Sequence, residues 1–99
     1  MTAPVSVLSR LVSIPSTSGR EEAACSYLAD VLPSLGWERV ETDGSGSVVA
    51  RRGSGPKELV LLGHIDTVPG GPEHRLEGNI LWGRGTVDAK GPLCAFAAA

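Results

Sequence analysis

Leu59-Val60-Leu61-Leu62-Gly63-His64-Ile65-Asp66-Thr67-Val68-Pro69-Gly70 is the stretch that decides how the rest of the chain folds. Four consecutive apolar residues with no polar alternate describe a strand covered on both faces, as in the interior of an α/β sheet. Residues 58–62 are therefore predicted as a central strand. An imidazole and a carboxylate follow at once. Because side chains alternate along extended backbone, His64 and Asp66 point to one side and Ile65 to the other.

Toward the amino end the texture is helical. Val5, Leu8, Leu11 and Val12 recur at helical spacing after Pro4, and Pro15 ends that helix. Ser16-Thr17-Ser18-Gly19 is turn chemistry, and Ser18 with Glu21 three residues on matches a capping box, which predicts a second helix starting there. Its apolar face is Ala24, Tyr27, Leu28, Val31, Leu32 and Leu35. Gly36 stands where a left-handed cap is expected, and Pro33 shortens the last turn. Beyond it, all but Gly19 and Gly36 of the thirteen glycines fall between Gly44 and Gly91, dividing short Val- and Leu-rich runs. These predict strands at 37–42, 47–51, 58–62 and 79–82.

Toward the carboxyl end, Gly91-Pro92 opens a helix with Pro at its first position, and every residue from Leu93 to Ala99 is apolar. Such a helix has no polar face, no capping glycine and no terminal cation, so it is expected to be buried and the chain to be an amino-terminal fragment. A central strand without its neighbours would also leave an exposed apolar patch.

Composition removes several function classes. The 99 residues carry 9 Lys+Arg against 11 Asp+Glu, a net charge of −2, which leaves no basic surplus for nucleic acid or an anionic membrane. At 41% hydrophobic and 20% charged, the chain has the makeup of an ordinary globular domain with one core. No apolar run approaches the roughly 20 residues of a membrane helix. Residues 1–15 lack the basic start, apolar block and cleavage site of a signal peptide, so a cytoplasmic protein is expected. Cys25 and Cys94, far apart among small apolar neighbours, read as buried free thiols rather than a disulfide framework.

Chemistry gathers in two segments, each following a predicted strand. In the first, the Asp66 carboxylate can reach the far nitrogen of the His64 ring, the arrangement that fixes the tautomer of a metal-binding histidine; His64 is thus a candidate ligand and Asp66 its orienter. The second is Gly83-Arg84-Gly85-Thr86-Val87-Asp88-Ala89-Lys90-Gly91-Pro92, where flanking glycines allow a tight turn that returns Asp88 over the same strand ends. Imidazole with carboxylate suits Zn²⁺, Co²⁺ or Mn²⁺, and a carboxylate can bridge two ions. Taken singly, His64 reads equally as a hydrogen-bonded strand-end residue and Asp88 as a turn residue. A catalytic zinc takes three protein ligands, more than these segments supply. Arg84 reads as a loop cation or a partner for a substrate carboxylate, Lys90 as a surface or loop residue, and His74 as an exposed one. Gly83-Arg84-Gly85 lacks the Gly-Lys-Ser/Thr ending of a phosphate loop.

Together the two segments, in register behind two helices and three strands, resemble the signature of the dinuclear-zinc aminoacylase, acetylornithine deacetylase, succinyl-diaminopimelate desuccinylase and carboxypeptidase-G family. The resemblance covers the whole chain. It implies an α/β fold, a three-layer α-β-α sandwich with a mixed central sheet, of which residues 1–99 are the amino-terminal part of the catalytic domain. It further implies His64 as a ligand of one zinc, Asp66 as the catalytic residue that orients it, and Asp88 as the bridging carboxylate with a cis peptide to Ala89. Two Zn²⁺ per complete site are implied, with Co²⁺ as a substitute.

The short 70–78 connection and the wording Asp88-Ala89-Lys90-Gly91-Pro92-Leu93 are similar to the branch that releases lysine or ornithine from an amino-group carrier protein in lysine and arginine biosynthesis. The alternatives are another member of the family, acting on an N-acyl amino acid or a peptide, or a non-catalytic fragment. The family's Glu-Glu pair, its later ligands and its inserted lid, which often mediates homodimerisation, have no counterpart here: Glu21-Glu22 lies in a helix's first turn. The chain alone is expected to be inactive.

Overall fold

The computed structural model describes residues 3–99. Helix α1 spans Ala3–Ser13 and α2 spans Glu22–Val31, continued by a 3-10 turn at Leu32–Leu35. Strands β1 (Arg39–Thr42), β2 (Val48–Arg51), β3 (Arg75–Glu77) and β4 (Ile80–Trp82) follow, and helix α3 (Lys90–Ala98) closes the order. Both amino-terminal helices lie where the apolar spacing predicts them. Gly36 takes the left-handed conformation (φ 98°) and ends the 3-10 turn that Pro33 enforces.

The start of α2 departs from expectation. Its N-cap is Glu21, without a side-chain capping bond, so Ser18 and Glu21 form no capping box. The turn closes instead through Arg20 N–H donating to the Thr17 carbonyl (2.8 Å), with Gly19 at φ 88°. Helix α3 starts at Lys90, which makes Pro92 its third residue rather than its first.

Strands β1 and β2 form an antiparallel hairpin with Thr42 opposite Val48. Asp43 organises its loop, accepting hydrogen bonds from Ser45 N–H (2.9 Å), Ser45 Oγ (2.7 Å) and Ser47 N–H (3.0 Å). Strands β3 and β4 form a second hairpin around Gly78-Asn79. β3 is absent from the sequence prediction, although Gly-Asn between two short runs is itself a two-residue hairpin signal.

The largest correction concerns residues 58–62. They form no strand and among the described residues pair with none, and Leu59 and Leu62 are 86% and 87% exposed. Among the described residues the fold is thus α/β with two separate two-stranded antiparallel sheets. The physical reason is that a strand's backbone groups are satisfied only from its two edges, and neither edge has a partner among the described residues.

The core forms between the helices. Val7 and Leu11 of α1, Ala24 of α2 and Cys94 of α3 make one buried cluster. Leu28, Leu32 and Ala97 make a second, onto which Val40, Val48 and Ala50 of the β1–β2 hairpin pack. Ile65 and Leu93 contact both. Cys94 and Cys25 are free thiols, buried and half-buried respectively, and burial pushes the Cys94 thiol up to about 11. No helix among the described residues is long and apolar enough to cross a membrane.

Candidate functional site

Ile65 fixes the site from below. With its side chain in the core, the alternation of extended backbone sends His64 and Asp66 to the opposite, solvent-facing side. A second strap holds the same residues laterally. Thr17 and Thr67 form a parallel bridge, Thr67 N–H donates to the Ser16 carbonyl (2.9 Å), and Ser16 Oγ donates to the Ile65 carbonyl (2.8 Å). Ser16 and Thr67 are buried, so these bonds are shielded from competing water.

The loop from Gly83 to Ala89 brings the third residue. Gly85 needs its positive φ of 89°, and a side chain there would run into Thr67 and Lys90, so the two motif segments pack at van der Waals contact. Lys90 N–H donates to the Gly85 carbonyl (2.8 Å), closing the loop, and the Asp88–Ala89 peptide is cis.

Three side chains meet as a result. His64 Nδ1 lies 3.2 Å from both the carboxylate Oδ1 and the backbone carbonyl of Asp66, and His64 Nε2 lies 3.1 Å from Asp88 Oδ1. They line an open cleft of about 280 Å³ together with Ser18, Thr67 and Arg84. The backbone carbonyl of Asp66, then the carboxylates of Asp66 and Asp88, hold the His64 imidazole above its ordinary pKa. The Ser18 hydroxyl, donating to Asp66 Oδ2 at 2.6 Å, and then His64 hold the Asp66 carboxyl below its ordinary range.

The donor set fits a divalent ion in chemistry and spacing. Two ligand atoms about 2.0–2.1 Å from one tetrahedral ion stand about 3.3 Å apart, close to the separation of His64 Nε2 and Asp88 Oδ1. Among the described residues, no group of three or more His, Cys, Asp or Glu side chains gathers to complete such a site.

Other residues sort plainly. His74 is exposed and bonds Ser9 Oγ (2.9 Å), away from the cleft. Arg84 Nε donates to the Gly70 carbonyl (2.9 Å), a loop-bracing contact at the cleft rim. Lys90 is a correction: it is 1% exposed, and its Nζ donates to the Ile14 carbonyl (2.9 Å) just beyond α1. The sequence signal for that role is the lysine's place at the head of an otherwise uncharged helix. Ser18 is the residue that sequence reasoning assigned to another task.

Residues 60–99 match the family model described as Peptidase family M20/M25/M40. A LysW-lysine hydrolase of Deinococcus radiodurans is 48% identical over 94 residues, covering 94% of this chain and 26% of that protein. A succinyl-diaminopimelate desuccinylase of Sphingopyxis alaskensis is 36% identical over 113 residues, covering 97% of this chain and 29% of that protein. The chain thus spans about a quarter of the length of these relatives. The motif region matches the model of this family, and nearly the whole length of the chain aligns with about a quarter of the length of each of these hydrolases.

Proposed function

We propose that this chain supplies one corner of the metal site of an amidohydrolase that releases lysine or ornithine from an amino-group carrier protein. The observation that carries the proposal is the convergence of His64 Nε2 and Asp88 Oδ1 at 3.1 Å, with Asp66 behind the ring. In this reading His64 and Asp88 are metal ligands, Asp88 bridges two Zn²⁺ for which Co²⁺ can substitute, and Asp66 orients His64. The ions, when bound, activate water and polarise the amide carbonyl. The chain's own residues hold the ligand atoms: the carboxylate and backbone carbonyl of Asp66 accept a hydrogen bond from His64 Nδ1–H, which leaves the Nε2 lone pair free to ligate.

Two donors fall short of the three that a catalytic zinc needs. Residues 1–99 are accordingly the amino-terminal part of a catalytic domain whose remaining ligands, general base, and lid or dimerisation domain are supplied by residues beyond those of this chain. The exposed run at 58–62 is in this reading the middle strand of a three-layer sandwich with a mixed sheet. The carrier-bound substrate is favoured by the LysW-lysine hydrolase relative, and the alternative of N-succinyl hydrolysis by the desuccinylase relative.

A chimera tests the proposal: residues 1–99 replace the aligned segment of the Deinococcus radiodurans hydrolase, and release of lysine from the lysine-loaded carrier is followed. Turnover that chelator abolishes, that Zn²⁺ or Co²⁺ restores, and that His64→Ala or Asp88→Ala removes is the expected result. A folded chimera that releases lysine equally well with His64→Ala overturns the ligand assignment. The unfused chain is expected to be inactive.

A further inference from the structure

We propose that Ser18 is a positioning residue for the Asp66–His64 pair: the Ser16-Thr17-Ser18-Gly19 turn aims its hydroxyl at one oxygen of the Asp66 carboxylate, leaving the other oxygen for His64. The inference rests on the reading of His64 and Asp88 as a ligand pair. It deepens that reading by adding a residue from a different part of the chain.

The two oxygens of Asp66 are divided between two partners. Oδ2 accepts from Ser18 Oγ at 2.6 Å, and Oδ1 faces His64 Nδ1 at 3.2 Å. An exposed carboxylate with one partner turns freely about its terminal torsion, whereas one held at both oxygens has a fixed plane. A fixed plane adds to the Asp66 backbone carbonyl, 3.2 Å from Nδ1, in favouring the proton on Nδ1 over Nε2, which Asp88 Oδ1 faces at 3.1 Å.

The aim of Ser18 is set by backbone pairing. The same turn lies in register along residues 65–67: Ser16 bonds the Ile65 carbonyl and accepts from Thr67 N–H, Thr17 bridges Thr67, and Ser18 reaches Asp66. Behind Ser18, Gly19 in the left-handed region and the Thr17–Arg20 bond close the turn.

Other serines of the chain show what a local role looks like. Ser13 Oγ donates to the Arg10 carbonyl and Ser34 Oγ to the Val31 carbonyl, each three residues back. Ser18 makes no such local bond to its own turn and caps no helix; its donor is spent on a carboxylate 48 positions away.

The test uses the full 99-residue chain and the ¹⁵N resonances of the His64 ring at a pH where the imidazole is neutral. In an Asp88→Ala background, which removes the carboxylate facing Nε2, the parent is expected in the Nδ1–H tautomer, Ser18→Ala in a mixture of both tautomers, and Ser18→Thr, which keeps the hydroxyl, close to the parent. Ser18 is exposed, and the amide spectrum checks that each variant keeps the fold. Should Ser18→Ala unfold, Ser18→Cys, of similar volume and a weaker donor, takes its place.

Co²⁺ affinity is read in parallel in the chimera with the Deinococcus radiodurans hydrolase, which supplies the further ligands. A Ser18→Ala dissociation constant about threefold to tenfold weaker is expected, below the roughly 10–100-fold of removing a residue that touches the ligand itself. A tautomer ratio unchanged in Ser18→Ala, or in Ser18→Cys, overturns the role of Ser18 while leaving the ligand pair standing. A chimera whose Co²⁺ affinity is unchanged by His64→Ala overturns the ligand pair, and a tautomer change in Ser18→Ala still supports the hold of Ser18 on His64.

Discussion

Helix α3 and the run at 58–62 are the most apolar parts of the chain, and they have opposite fates. Cys94 and Ala97 of α3 are buried in two different clusters, while Leu59 and Leu62 stand in solvent. Composition does not separate them. A helix satisfies its backbone within itself and can dock as a finished unit, whereas a middle strand must be hydrogen-bonded from both edges before burial is favourable. Apolar sequence states a demand for burial, and the backbone decides whether that demand can be met locally.

The sharpest way to break this contrast is in the core that α3 shares with α1. Leu11 is fully buried there, and Leu11→Ala is expected to cost about 2–5 kcal/mol in urea unfolding. A loss near zero would mean that the helices are not packed as described.

Lys90 sharpens it further, because it is the buried cation that ties α3 to α1. Burial holds its ammonium below the ordinary 10.5, so the unfolded chain binds more protons in the window just under that value. Stability from this group therefore rises as pH increases from the depressed folded pKa toward 10.5. Lys90→Met removes that alkaline rise and also the bond to the Ile14 carbonyl, at a cost of about 1–3 kcal/mol near neutral pH. Parallel stability profiles for the two proteins would show that Lys90 is solvated.

The smallest effect belongs to the exposed run. Leu59→Ser and Leu62→Ser are expected to change the unfolding free energy of this chain by no more than about 0.5 kcal/mol. Losses of the size expected for Leu11→Ala would place the run inside a core.

Much of this was legible in residues. Leu11, Val12, Ala24 and Leu28 follow the helical period and are buried, although Val7, outside the predicted face, is buried and Val5, on it, is exposed; Gly36 and Pro33 mark the end of the second helix, and Asp43-Gly44-Ser45-Gly46 announces the first hairpin. Period-2 alternation put His64 and Asp66 on one side, and the structure brings Asp88 to the same ring. What stayed hidden depends on contacts between distant segments. Ser18 matches a capping box locally, and only the pairing of 16–18 with 65–67 redirects its hydroxyl. Lys90 looks like a loop cation until the end of α1 is placed beside it. The run at 58–62 reads as a central strand because its pattern describes neighbours that the described residues do not supply to it.

Ile65, set between the two polar side chains of the cleft, gives the segment a parity. Substitutions at positions 63–67 can be graded in their effect, since each changes one side chain and leaves the count intact. Adding or deleting a single residue there has no intermediate outcome: it swaps inside for outside, sending an imidazole or a carboxylate toward the core and an isoleucine into solvent. Across related chains this stretch should accordingly tolerate changes of spelling far more readily than changes of length.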